Sequence, residues 1–105
     1  MSNTDNALSQ IQHWYKSQCD GDWEHTFGIT IDTSDSPGWL VTIDMEDTGI
    51  EGCAMSTFEQ GTYGREDWII CKVEDKKFRA AGGPLKLDDI LSKFLELTRR
   101  EVPIR

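Results

Sequence analysis

Two stretches of helical period bracket a middle that repeats every second residue, and this ordering limits the fold more than any other feature of the chain. From about Ala7 to Cys19, the apolar residues Leu8, Ile11, Trp14, Tyr15 and Cys19 recur at steps of three and four, the one-sided stripe of an amphipathic helix. Near the other end Leu87, Ile90, Leu91, Phe94 and Leu95 do the same, with Thr98 or Val102 continuing the face. Asp88 and Asp89 in the first turn and Arg99 and Arg100 near the last complement the helix dipole, and Pro103 is expected to end the element. Between the two stripes, Phe27, Ile29 and Ile31 alternate with Gly28, Thr30 and Asp32, which predicts a strand with one buried face. Ser34 to Gly38 predicts a turn, after which Trp39, Val41 and Ile43 resume the alternation as the second arm of a hairpin.

Beyond the hairpin, the acidic stretch Met45 to Gly52 predicts a loop or a short irregular strand. A strand is expected around Met55 to Gln60, with a break at Gly61 to Gly64. Trp68 to Val73 is the clearest buried strand. Glu74 to Lys77 forms a polar turn, Phe78 to Ala81 the returning strand, and Gly82, Gly83 and Pro84 stop the sheet. The expected fold is therefore α+β: an N-terminal helix, an antiparallel sheet of four to six strands and a C-terminal helix, both helices on one face of the sheet. No βαβ unit or internal repeat is present.

At 105 residues the chain is expected to form a single domain, residues 1–105, that buries roughly two thirds of its unfolded surface and holds together without disulfides or a structural metal. Three cysteines, Cys19, Cys53 and Cys71, are odd in number and widely spaced, which suits half-buried thiols better than a disulfide framework or a zinc site. The polar start MSNTDNALSQ carries no basic leader, and no apolar run approaches the ~20 residues of a membrane span, so a cytoplasmic location is expected.

Charge is placed unevenly. The chain carries a net charge of -8. Residues 1–64 hold eleven acids, Asp5, Asp20, Asp22, Glu24, Asp32, Asp35, Asp44, Glu46, Asp47, Glu51 and Glu59, against the single base Lys16, a net of -10; residues 65–105 hold eight acids and ten bases. This sign disfavours a nucleic-acid backbone and an anionic membrane as partners, and it favours a basic protein surface. A solvated acidic sheet face is the plainer alternative.

The run Cys19 to His25 places a thiol, three carboxylates and an imidazole within seven positions. Such groups suit acid/base or metal chemistry, and a small metal-dependent hydrolase using this run is the alternative enzyme reading. Its spacing lacks the closing Glu of a calcium loop and the paired His of a zinc protease. It fits equally a helix-ending turn, with Gly21 at positive φ, Trp23 packed inward and His25 entering the strand, or a partner-binding patch. No nucleophile elbow, reactive-cysteine signature or phosphate loop accompanies it, so no catalytic residue, metal ligand or cofactor is assigned. Trp14, Trp39 and Trp68 are in phase with their apolar faces and are expected in the core, whereas Trp23 is expected to reach the surface.

Together these residues resemble a known family. The block Trp14-Tyr15-x-x-Gln18-Cys19-Asp20-Gly21-Asp22-Trp23-Glu24-His25 is followed by Gly28-Ile29-x-Ile31-x-Thr33 and Pro37-Gly38-Trp39. Trp68-x-x-Cys71-x-Val73, Phe78, Gly82-Gly83-Pro84 and the Leu87 to Phe94 helix complete the pattern. From about Ile11 to Leu97 the chain is similar to the immunity protein 53 family of bacterial polymorphic toxin systems, departing from it at Lys86, where a polar capping residue is usual. The resemblance implies a small cytoplasmic protein encoded beside a toxin, which binds and blocks that toxin's effector domain without catalysis. Combined with the charge, it makes Asp20, Asp22, Glu24, Asp44, Glu46, Asp47 and Glu51 the expected toxin-facing patch, with Trp23 as apolar anchor against a basic, for example nuclease, toxin. An exposed edge strand is open to a second copy of the chain or to a strand of the toxin.

Overall fold

The computed structural model describes residues 6–62 and 65–100. The expected Asp5, Tyr63, Gly64, Val102 and Pro103 features lie outside the described residues. The first helix, α1 (Ala7–Gln18), starts where the Asn6 side-chain oxygen accepts the Ser9 backbone N–H at 2.8 Å. A four-residue helix, α2 (Trp23–Thr26), follows, where the sequence predicted only a turn and a strand entry at His25. Among the described residues five strands come next: β1 (Ile29–Ser34), β2 (Gly38–Asp44), β3 (Phe58–Gln60), β4 (Ile69–Glu74) and β5 (Lys77–Gly82). The closing helix, α3 (Leu87–Thr98), has no side-chain bond at its Lys86 cap, as that departure implies, although Lys86 Nζ lies 3.5 Å from Asp89. Arg99 forms the C-terminal cap, so neither arginine lies within the last helical turn.

All pairings are antiparallel, in the order β1-β2-β5-β4-β3. The fold is α+β, as expected, with α1 and α3 packed together over one face. Register places Val41, Ile43, Phe78, Ala80, Ile69 and Cys71 on that face, and all are buried. Phe94 ties the layers together: its ring meets Trp14 of α1 at 4.9 Å and Phe78 of β5 at 5.4 Å, both edge-on. Trp14 and Trp68 are buried; Trp39 is half-buried and donates from Nε1 to the Pro84 carbonyl at 2.9 Å. The opposite face carries Leu40, Ala81 and Ile70 in one cross-strand row and Thr42, Arg79 and Lys72 in the next. Glu74 binds both cations of that second row, at 3.3 Å each.

Two expectations of burial fail at the sheet edge. Ile31 shares the covered face with Val41 yet is 41% exposed, because β1 is the outermost strand and α1 does not extend across it. Leu8 and Tyr15, on the flank of the α1 stripe nearest that edge, are exposed too. At the hairpin end β2 runs close to β5, since a Cβ on Gly38 would stand 2.3 Å from the Gly82 carbonyl oxygen. Gly38→Ala should destabilise the fold by about 1–3 kcal/mol, read as a lower denaturation midpoint at unchanged slope.

Candidate functional site

The acidic run is built by its own backbone. Gly21, at φ 95°, turns the chain out of α1. Asp20 Oδ1 then accepts the N–H groups of Asp22 and Trp23, both at 2.9 Å, while the Glu24 carboxylate reaches back to the N–H groups of Asp20 (2.9 Å) and Gly21 (2.8 Å). This reciprocal arrangement works as a capping box does, satisfying donors that a short helix leaves open. It also favours the ionised carboxylates. The Trp23 N–H, then that of Asp22, holds Asp20 below its ordinary pKa; the Glu24 backbone N–H, then those of Asp20 and Gly21, does the same for Glu24.

Both groups bind protons less readily folded than unfolded, so their contribution to stability is complete above the ordinary carboxylate range and fades as pH falls through it. Acid titration below about pH 4 should therefore release this turn first, seen as loss of near-ultraviolet circular dichroism from Trp23 while the far-ultraviolet signal of the sheet persists.

Trp23 is 4% exposed, which overturns the expectation of a surface anchor. Its ring packs edge-on to Trp14 and Tyr15, each at 6.1 Å, and against Phe27 at 6.0 Å. Its Nε1 donates to the Glu46 carbonyl at 2.9 Å. That bond pins the α2 turn to Met45–Cys53, a chain of successive turns linked by Thr48 N–H to Met45, Glu51 N–H to Thr48 and Cys53 N–H to Ile50. The segment is no open loop: Met45 and Ile50 are fully buried, and the Thr48 hydroxyl, itself buried, donates to the Met45 carbonyl at 2.6 Å.

The two acidic turns thus stand side by side at the end of the sheet where β2 finishes, but their carboxylates have different tasks. Asp44 turns to the structure: Oδ2 accepts the Gly28 N–H at 2.9 Å, and Oδ1 pairs with Lys77 of β5. Glu51 accepts the Asp47 N–H at 2.9 Å and pairs with Lys76 at 3.1 Å; the Asp47 N–H first and Lys76 second lower its pKa. Asp22, Glu46 and Asp47 form no side-chain hydrogen bond or ion pair among the described residues. The Lys76 ammonium, held above its ordinary pKa first by Glu51, also feels Glu46 and Asp47 without a direct bond to either. Of the eight predicted positions, Asp22, Glu46 and Asp47 carry charge with no direct partner, four carboxylates brace backbone, and Trp23 lies beneath. Lys76 and Lys77 belong to the same end and were not foreseen, because only the non-sequential β2–β5 pairing brings the Glu74 to Lys77 turn there.

The Cys19 to His25 run does not converge on a point, since Asp20 and Glu24 face their own turn and the Cys19 thiol donates to the Tyr15 carbonyl at 3.3 Å. Among the described residues no three His, Cys, Asp or Glu side chains are grouped to hold a metal ion. Cys71, buried against α3, has its thiol pushed up to about 11 by burial. Among the described residues no helix is long and apolar enough to cross a membrane.

This two-layer build, with free carboxylates gathered on braced turns at one sheet end, defines a small acidic α+β protein. A family model described as immunity protein 53 matches residues 8–99. The chain belongs to the immunity protein 53 family, and its role is an immunity function. Neither a curated protein nor a solved structure matches it.

Proposed function

We propose that this immunity protein acts in the cytoplasm as a single domain that binds and neutralises the effector domain of a toxin encoded beside it, within a polymorphic toxin system and without catalysis. The acidic end of the sheet faces a basic surface of that toxin, such as the substrate cleft of a nuclease. One observation carries the reading: the side chains of Asp22, Glu46 and Asp47 form no direct hydrogen bond or ion pair among the described residues, and they stand on turns that Trp23 and the capping carboxylates hold in place. Charges held in advance lose little freedom on binding and steer a basic partner into register. Lys76 pairs with Glu51 and also feels Glu46 and Asp47, and Lys77 pairs with Asp44, so two lysines offset only part of the charge of Asp20, Asp22, Glu24, Asp44, Glu46, Asp47 and Glu51 and this end stays negative.

Co-expression of the neighbouring toxin gene with this chain tests the proposal. Growth should be restored and the effector domain should co-purify with the chain. Toxicity undiminished by well-expressed, folded protein would contradict it.

A further inference from the structure

We propose that the free edge of β1, together with the groove between β1 and α1, takes up an extended strand of a partner protein that alternates apolar and basic side chains. The inference rests on the toxin-binding reading and names how the toxin's effector domain is held.

The edge is available over a defined stretch. Among the described residues β1 pairs with β2 alone. The Asp44 N–H donates to the Gly28 carbonyl at 3.0 Å, which sets the ladder so that Thr30, Asp32 and Ser34 turn their backbone groups toward β2 and Ile29, Ile31 and Thr33 turn theirs outward. The Thr33 N–H is already taken by Asp32 Oδ1 at 2.8 Å. Ile29 and Ile31 therefore offer the docking positions, next to the acidic end. Edge strands of this length are otherwise blocked by lysine, proline or a covering element, and β1 contains neither residue.

Beside that edge lies a groove of about 330 Å³ lined by Ile11, Gln12, Tyr15, Gly28 and Ile29. Tyr15 is 39% exposed there, and further apolar side chains are exposed on the same two elements: Leu8, two helical turns before Tyr15 on α1, by 59%, and Ile31, two residues beyond Ile29 in β1, by 41%. A strand added to β1 would direct alternate side chains over this lining, where apolar groups gain burial, and the others toward the face that carries Asp32. On that face β1 carries Asp32 and no base, while Arg79 and Lys72 lie two and three strands inward and both pair with Glu74, so the second set is best matched by basic side chains. A second copy of the chain brings the same negative sign to the edge, which favours a foreign, basic strand over self-pairing.

Amide hydrogen exchange on the full chain, alone and saturated with the effector domain encoded beside it, tests the proposal. The Ile29 and Ile31 amides should exchange readily in the free chain and slow by about tenfold or more in the complex, as expected for newly hydrogen-bonded groups. Ile31→Pro removes an outward donor and leaves the β1–β2 ladder bonds in place, so affinity should fall by about tenfold. Thr33→Pro, where the outward N–H is already occupied, should leave affinity unchanged. A complex that forms with Ile29 and Ile31 exchange unaltered would overturn the edge proposal and leave the toxin-binding reading standing, whether or not Ile31→Pro folds. A free chain that sediments as a dimer with these amides already protected would assign the edge to self-association instead. Absence of any complex would overturn both readings together.

Discussion

Trp23→Ala is expected to remove about 3–5 kcal/mol of folding stability, the range for truncating a buried tryptophan, and to weaken toxin binding beyond what the stability loss explains. Urea unfolding of the variant against the parent chain gives the first figure from the midpoint shift. The size follows from position: the ring fills the space between Trp14, Tyr15 and Phe27, and its N–H is the partner of a backbone carbonyl 23 residues away, that of Glu46. Removal leaves a cavity and an unsatisfied acceptor at once. Trp23→Phe separates the two effects. It retains most of the packing and should cost about 1–2 kcal/mol, chiefly for the orphaned Glu46 carbonyl. The binding defect has the same origin, because without the Trp23 bond the turn carrying Asp22 no longer has a fixed position relative to Glu46 and Asp47.

That tryptophan also marks the limit of what is legible in the sequence. The helices and the two hairpins were legible because apolar patterning reports burial directly: α1, α3 and β1–β2 stand where the three-to-four and two-residue repeats predict them, and β4–β5 where an apolar run, a polar turn and a returning segment do. Trp23 belongs to neither repeat. Its burial depends on the Met45–Cys53 turns, whose own contribution to the core, Met45 and Ile50, looks like an acidic loop in one dimension. The capping role of Asp20 and Glu24 left a usable signal, an Asp after a helix stop followed four residues later by Glu, which resembles a capping box. The exposure of Ile31 left none, since alternation marks a half-buried strand but not whether that strand lies in the middle of the sheet or at its edge. Charge behaved similarly. The one-sidedness of residues 1–64 was visible, yet which acids are free and which brace backbone is decided by turns and by lysines from a distant hairpin.

The second large effect concerns those free acids. Reversing Asp22→Lys, Glu46→Lys and Asp47→Lys together should slow association with the effector domain by roughly 10- to 100-fold at low ionic strength, because electrostatic steering contributes rate enhancements of that order. Folding stability should fall by only about 1 kcal/mol, since these three side chains hold no hydrogen bond or ion pair among the described residues; the loss comes from Asp47, whose φ of 62° suits Asp better than Lys, and from the new charges near Lys76. Reversing Asp20 and Glu24 instead should loosen the turn itself, because their carboxylates hold four backbone N–H groups. The contrast distinguishes a charge that faces a partner from a charge that holds the fold.

The most direct test of the acidic end as the toxin-facing surface is the association rate constant measured against salt concentration for the parent chain and the triple Lys variant. The parent rate should fall steeply as salt rises toward 1 M, where screening reaches about 3 Å. The variant rate should be slow at low salt and flat or rising with salt. Superimposable salt profiles for the two proteins would contradict it.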